Sequence, residues 1–373
     1  MSTLPRNPRR ATFALALGLT LTALGVGATG AMAGSSSKAV YTLTNGAAGN
    51  AVQVFDRARD GSLTPDGTFD TGGDGTGAGL GNQGALALKH RRLFAVNAGS
   101  DSISAFKVRK GGLRLVDTVG SGGEQPISLT VHRRLLYVLN AGGVANIKGF
   151  KISRHGDLSR LAGSKRPLSA PAPGPAQVSF DPKGRTLVVT EKDTNLIDTY
   201  KVNRHTGRAS GPNPQTSVGM TPFGFAFDPR GRLIVSEAFG GAVDKSAVSS
   251  YELEGGTIDP ITASAATTET AACWIVVTKD GRFTYTTNTG SASISGYRIG
   301  HGGELELLDP DGVTGSTGPM PIDMALTRGS RFLYSLNSGD GTISGFRVGA
   351  DGSLTPVGGS GGLPAGATGL AAR

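Results

Sequence analysis

One cysteine and one tryptophan stand in 373 residues. A lone cysteine permits no internal disulfide, and Cys273, beside Trp274 in an apolar alternation, reads as a small core residue. Charged residues make up only 17% of the chain against 38% hydrophobic ones, which excludes a disordered polyelectrolyte. Leu, Glu and Lys are too sparse for a long coiled coil. The 59 glycines follow no three-residue period, which excludes collagen. No P-loop, Gly-x-Ser-x-Gly elbow, dinucleotide fingerprint or EF-hand loop is present, so no cofactor is expected. The five histidines, His90, His132, His155, His205 and His301, fall in separate turns scattered around the fold, so no metal site is expected.

Residues 1–33 contain Arg6, Arg9 and Arg10 and no acid, then an apolar run, then Ala31-Met32-Ala33 before Gly34. That pattern is a signal peptide with an A-x-A cleavage site. No cysteine follows the run, which excludes a lipid anchor. The expectation is a secreted or extracytoplasmic protein comprising residues 34–373. The Arg9-Arg10 pair leaves the export route open.

What remains repeats itself. Phe94-Ala-Val-Asn-Ala-Gly precedes Ser102-Ile-Ser-Ala-Phe-Lys-Val108, and Tyr137-Val-Leu-Asn-Ala-Gly precedes Ile147-Lys-Gly-Phe-Lys-Ile152. Tyr285-Thr-Thr-Asn-Thr-Gly and Tyr334-Ser-Leu-Asn-Ser-Gly open the same pattern again. The punctuation recurs at Asn45, Asn97, Asn140, Glu191, Glu237, Asn288 and Asn337, at intervals of 52, 43, 51, 46, 51 and 49 residues. A period near fifty with four short strands per unit predicts propeller blades. The expected fold is an all-β, seven-bladed β-propeller with four-stranded antiparallel blades. Residues 40–45 read as a strand B with no strand A before them, and residues 365–372 as a strand A with no strand B after them. The two should share one blade, closing the ring and removing its open edges. A monomer is expected.

The unit Tyr-x-x-Asn-x-Gly-x-x-Ser-Ile-x-x-Phe-x-Val, then Gly-x-Leu, then Asp-Pro-x-Gly-Arg, resembles the seven-bladed lactonase family, which includes bacterial 6-phosphogluconolactonases and fungal carboxymuconate cyclases. It is also similar to YVTN-type surface propellers. The first resemblance implies a lactone hydrolase and the second a non-catalytic scaffold. Most of the catalytic pattern that the lactonase resemblance implies is missing. The family's histidine-rich stretch corresponds to Pro171-Ala-Pro-Gly-Pro-Ala-Gln177, without histidine, and its Pro-Arg-His-like triplet to Thr221-Pro-Phe-Gly224. An Asn-Arg-Gly step reads Asn288-Thr-Gly290 here. Glu237 matches an acidic family position.

Glu191 and Glu237 replace asparagine at two neighbouring strand-B ends, a placement expected to point both carboxylates at the rim of the channel mouth. A lactone hydrolase needs a base and a cation for the oxyanion. The candidates are Glu237 as base and Glu191 as orienter, with Lys192, Lys245, Lys165, Arg166 and Gln177 as binding groups for a lactone or sugar acid. The alternative is that both glutamates tie down turn backbone. The A–B and C–D turns share one face of a propeller and gather most of the Lys and Arg. That face is expected to be strongly basic and to dock on an anionic envelope polymer or membrane surface. Nucleic acid is not expected, because aromatics are not interleaved with the basic residues.

Overall fold

The computed structural model describes residues 38–373. The expected signal peptide lies outside the described residues. Seven antiparallel sheets follow one another around a ring, each with its first strand, A, innermost. Blade two illustrates the unit: Leu86–Lys89 (A), Arg92–Asn97 (B), Ser102–Arg109 (C) and Gly112–Gly120 (D). Blade one is composite. Its B, C and D strands are Ala39–Leu43, Ala51–Arg57 and Leu63–Asp70, and its A strand is the C-terminal segment Thr368–Ala372. Val40 lies opposite Ala372 and Tyr41 opposite Ala371, so the ring closes as the terminal half-units predict. Among the described residues the only helical element is the 3-10 turn Phe239–Gly241.

The repeated residues explain the packing. Strands B and C alternate β-branched and aromatic residues, and both faces of each inner strand meet a neighbouring blade, so strands such as Phe332–Asn337 are buried along their whole length. The repeat's tyrosine joins successive blades. Tyr137 in blade three donates its hydroxyl to Gly207 O in the C–D turn of blade four at 2.9 Å. Tyr285 in blade six does the same to Gly352 O at 2.8 Å, and Tyr334 in blade seven to Gly61 O at 2.6 Å across the closure. The receiving glycines have φ of 74°, 96° and 105°, a region where a side chain would be strained. The Tyr and the Gly of the sequence repeat are therefore two halves of one inter-blade joint.

Candidate functional site

All seven residues at the strand-B ends are buried, the two glutamates included. In three blades the asparagine side-chain amide donates to the first and third residues of strand C: Asn97 to Ser102 and Ser104, Asn288 to Ser293 and Ser295, and Asn337 to Thr342 and Ser344, all between 2.8 and 3.0 Å. Glu237 occupies the same position in blade five with the polarity reversed. Its carboxyl accepts from Gly219 N at 2.9 Å, from the Ser249 hydroxyl at 2.5 Å and from the Ser264 hydroxyl at 2.6 Å. Burial pushes its pKa up, against the pull of those donors. The Gly219 backbone lies so close that an added Cβ would sit 2.0 Å from a Glu237 oxygen. Glu237 is thus turned into its own blade and not toward the channel rim.

Glu191 is turned inward too, but in different company. Its carboxyl accepts from Ser169 N at 3.0 Å, from the Ser169 hydroxyl and from the Thr194 hydroxyl at 2.7 Å. The third residue of strand C, a serine in blades two, five, six and seven, is Asp198 in blade four. Asp198 is fully buried, accepts from Ser169 N at 3.1 Å and from the Tyr200 hydroxyl at 3.2 Å, and leaves Oδ1 without a partner. Burial and the neighbouring Glu191 carboxyl push its pKa up to about 8. Asp198 therefore keeps its proton at neutral pH. The sequence signal was present, since Leu196-Ile-Asp-Thr-Tyr200 interrupts the Ile-Ser-x-aromatic pattern, but only the strand register places the aspartate against Glu191.

Glu191 and Glu237 have no hydrogen-bond partner in common, and the basic candidates do not join them. Lys192 donates to Gly81 O at 2.7 Å and lies over the Phe223 ring; burial lowers its pKa. Lys245 and Lys165 are exposed. Arg166 folds onto the Gly163 and Lys165 carbonyls at 3.1 and 2.6 Å. Gln177 is buried and ties blade four to blade five, donating to Phe225 O at 3.0 Å and accepting from Phe225 N at 2.7 Å.

The expected open channel mouth is closed by residues 80–83, which cross it ahead of blade two's strand A. Gln83 N donates to Ala176 O of blade four, and the Gln83 side chain reaches Ile275 of blade six. Trp274 donates its indole N–H to Asn82 O at 2.6 Å. Cys273 beside it is buried, which pushes its thiol pKa up to about 12. From the opposite, basic face the channel stays open as a cavity of about 310 Å³, with Asp323 in its wall. Asp323 is buried, accepts from Met324 N and Leu370 N, and has its pKa held well above the usual carboxylate range by burial.

A cavity of about 890 Å³ forms a groove on the basic face between blades three and four. Its walls are the A–B turns at residues 132–135 and 183–184 and the C–D turns at residues 151–153 and 202–207. They bring together Arg133, Arg134, Lys151, Lys183, Arg204 and His132 with no carboxylate among the lining residues. Burial, then the charges of Arg133 and Lys89, lower the pKa of His132 against a smaller pull from Asp181, so its ring is neutral at pH 7. His205 lines the same groove, and His90 and His155 line a second one between blades two and three. Four of the five histidines, expected to be scattered, thus lie in two neighbouring grooves, because turns distant in sequence meet where blades abut. Among the described residues no group of three His, Cys, Asp or Glu is arranged to hold a metal ion.

The sequence profile of a family described as "Lactonase, 7-bladed beta-propeller" matches residues 75–367, most of the ring. The chain belongs to the seven-bladed β-propeller lactonase family. No curated protein matches it in sequence. Among solved structures, this lactonase-family propeller is similar to a "putative 6-phosphogluconolactonase" of Bacteroides fragilis, at 19% identity and a TM-score of 0.70 over 91% of this chain and 99% of the other. It is also similar to the periplasmic gluconolactonase PpgL of Pseudomonas aeruginosa, at 17% identity and a TM-score of 0.69 over 89% and 98%. A protein from Lactobacillus plantarum superposes with a TM-score of 0.72 at 18% identity over 90% and 99%. At these identities the likeness establishes the fold and not the reaction.

Proposed function

We propose that this lactonase-family propeller is an exported binding protein whose basic face docks on an anionic component of the cell envelope. The observation that carries this reading is the groove between blades three and four, where five cationic side chains line one cavity without a carboxylate. Uncompensated like charge costs stability unless a counter-charge arrives, so such a lining favours an anionic occupant. The inward turn of Glu191 and Glu237 and the plug at residues 80–83 support binding over catalysis at the opposite mouth. The test is retention of the protein comprising residues 34–373 on envelope fractions and on vesicles with and without anionic lipid, across a salt series. Retention at low salt that fades as salt rises supports the reading. No retention at low salt, or retention indifferent to salt, overturns it.

A second reading, lactone hydrolysis, is favoured by the family match. In it Glu237 or Glu191 acts as the base on a sugar-acid lactone. Turnover of a lactone panel above the spontaneous rate, lost in Glu237→Gln or Glu191→Gln proteins that remain folded, would establish it.

A further inference from the structure

We infer that the basic face carries a continuous track across blades two, three and four that takes a linear polymer with a phosphate repeat. The inference deepens the docking reading and rests on it. Two grooves make the track. The larger, between blades three and four, is the one described above. The second, of about 310 Å³, lies between blades two and three and is lined by eight residues, every one of them Lys, Arg or His; Lys89, Arg91, Lys107 and Arg154 are among them. The grooves share a wall, the C–D turn of blade three: Lys151 to Ser153 face the larger groove, and Arg154 and His155 the smaller. Arg92 spans the smaller groove to donate to Arg154 O at 2.5 Å, fixing blade two's turn to that wall.

No ion pair ties up the charge on this track. Among the described residues the two ion pairs are Arg232–Asp228 and Arg298–Glu306, and neither lies in either groove. The one acid on the dividing turn, Asp157, is exposed and accepts the Ser153 hydroxyl, closing its own turn. Asp181, next to Lys183, is spent on the backbone amides of residues 183, 185 and 186.

The shape selects among anions. A single phosphate is held by a few converging donors, whereas a groove of about 890 Å³ with cations along both walls is far too large for it. Two such grooves sharing a wall match an anion whose charge repeats along a chain. Each phosphate neutralised releases counterions, so affinity should rise with chain length and fall steeply with salt.

The test compares three proteins of residues 34–373 with exposed substitutions, all checked for unchanged circular dichroism. One carries Arg133→Gln, Lys183→Gln and Arg204→Gln in the larger groove. The second carries Lys89→Gln, Arg91→Gln and Lys107→Gln in the smaller. The control carries Lys279→Gln, Arg328→Gln and Arg347→Gln on blades six and seven. Each is titrated with pyrophosphate, long-chain polyphosphate, a carboxylate polymer of equal length and anionic vesicles. The expected result is that polyphosphate binds wild type at least about ten-fold more tightly per phosphate than pyrophosphate does. Each groove variant should lose about ten-fold or more, and the salt slope should fall by roughly two to three for three lost contacts, while the control changes less than about three-fold. Equal losses in all three variants would overturn the track while leaving face-wide docking intact. So would carboxylate polymer bound as tightly as polyphosphate, or binding to vesicles alone. Absence of binding to every probe would overturn the docking reading itself.

Discussion

Gln83 of blade two spans the channel to Ile275 of blade six, donating to its carbonyl at 2.7 Å and accepting from its amide at 3.1 Å. One side chain thereby gives a strand-A edge on the far side of the ring the backbone partners it would otherwise find in a further strand. Asn82 extends the latch, since its carbonyl accepts from Trp274 and its amide donates to Ile127 O of blade three.

Gln83→Ala should therefore destabilise the whole ring and not just blade two. Two buried backbone groups lose their partners, at about 1–3 kcal/mol each where water does not replace the side chain. Denaturant unfolding should show a lower midpoint with an unchanged slope. A midpoint within error of wild type would mean the latch contributes nothing.

Asp198→Ser gives blade four the serine that blades two, five, six and seven carry, beside a glutamate as in blade five. In wild type the folded state holds Asp198's proton up to about pH 8, whereas the unfolded chain releases it near the ordinary value of 3.8. Between those values the folded state binds more protons, so this group's contribution to stability falls as pH rises. The variant should show a flatter Tm-against-pH profile from pH 5 to 8 and a gain over wild type that is largest at pH 8. Parallel profiles would refute the raised pKa of Asp198. Asp323 shifts in the same direction, so a residual slope is expected.

Glu237→Gln replaces an acceptor of three hydrogen bonds by a group with one acceptor oxygen and an NH2 donor. With its oxygen in the place of Oε1 the amide keeps Gly219 N and the Ser249 hydroxyl, and the Ser264 hydroxyl can turn to accept from the NH2, so stability should change by less than about 1 kcal/mol. Retention on anionic vesicles should not change, because the basic face is untouched. Any lactone turnover should also match wild type; a loss of 10²–10⁴-fold in a folded variant would instead assign Glu237 the base role.

Deleting residues 365–373 should abolish the cooperative melt of the ring, because among the described residues Thr368–Ala372 is the only partner of blade one's inner edge. Scanning calorimetry checks this, and a single transition at the wild-type temperature would contradict it.

The architecture was legible in the sequence because each blade repeats the same solution. The aromatic residue of strand B, the Asn at its end in five of seven blades and the positive-φ Gly of the C–D turn answer the same local need in blade after blade, so period and spacing suffice. The terminal half-units were legible for the same reason. What the repeat does not constrain was read less well. Glu191 and Glu237 broke the asparagine pattern, and that departure suggested exposed chemistry; in the structure both follow the same inward geometry as the asparagines they replace. The plug at residues 80–83 occupies a loop where the repeat is silent, and its partners lie in blades up to 286 residues away. The histidines illustrate the converse: far apart in sequence, His132 and His205 line one groove because adjacent blades align their turns.

The closure of blade one has a consequence in time. Thr42 bonds to the carbonyl of Thr368, 326 residues further along the chain. No local event can substitute for that pairing, and the entropy of closing so long a loop is met only at the end. Until the last residues are available, blades two to seven can assemble pairwise while blade one keeps an unpaired edge, open to any extended segment that reaches it first. Closure of the ring waits on Thr368–Ala372, whichever order the other blades follow.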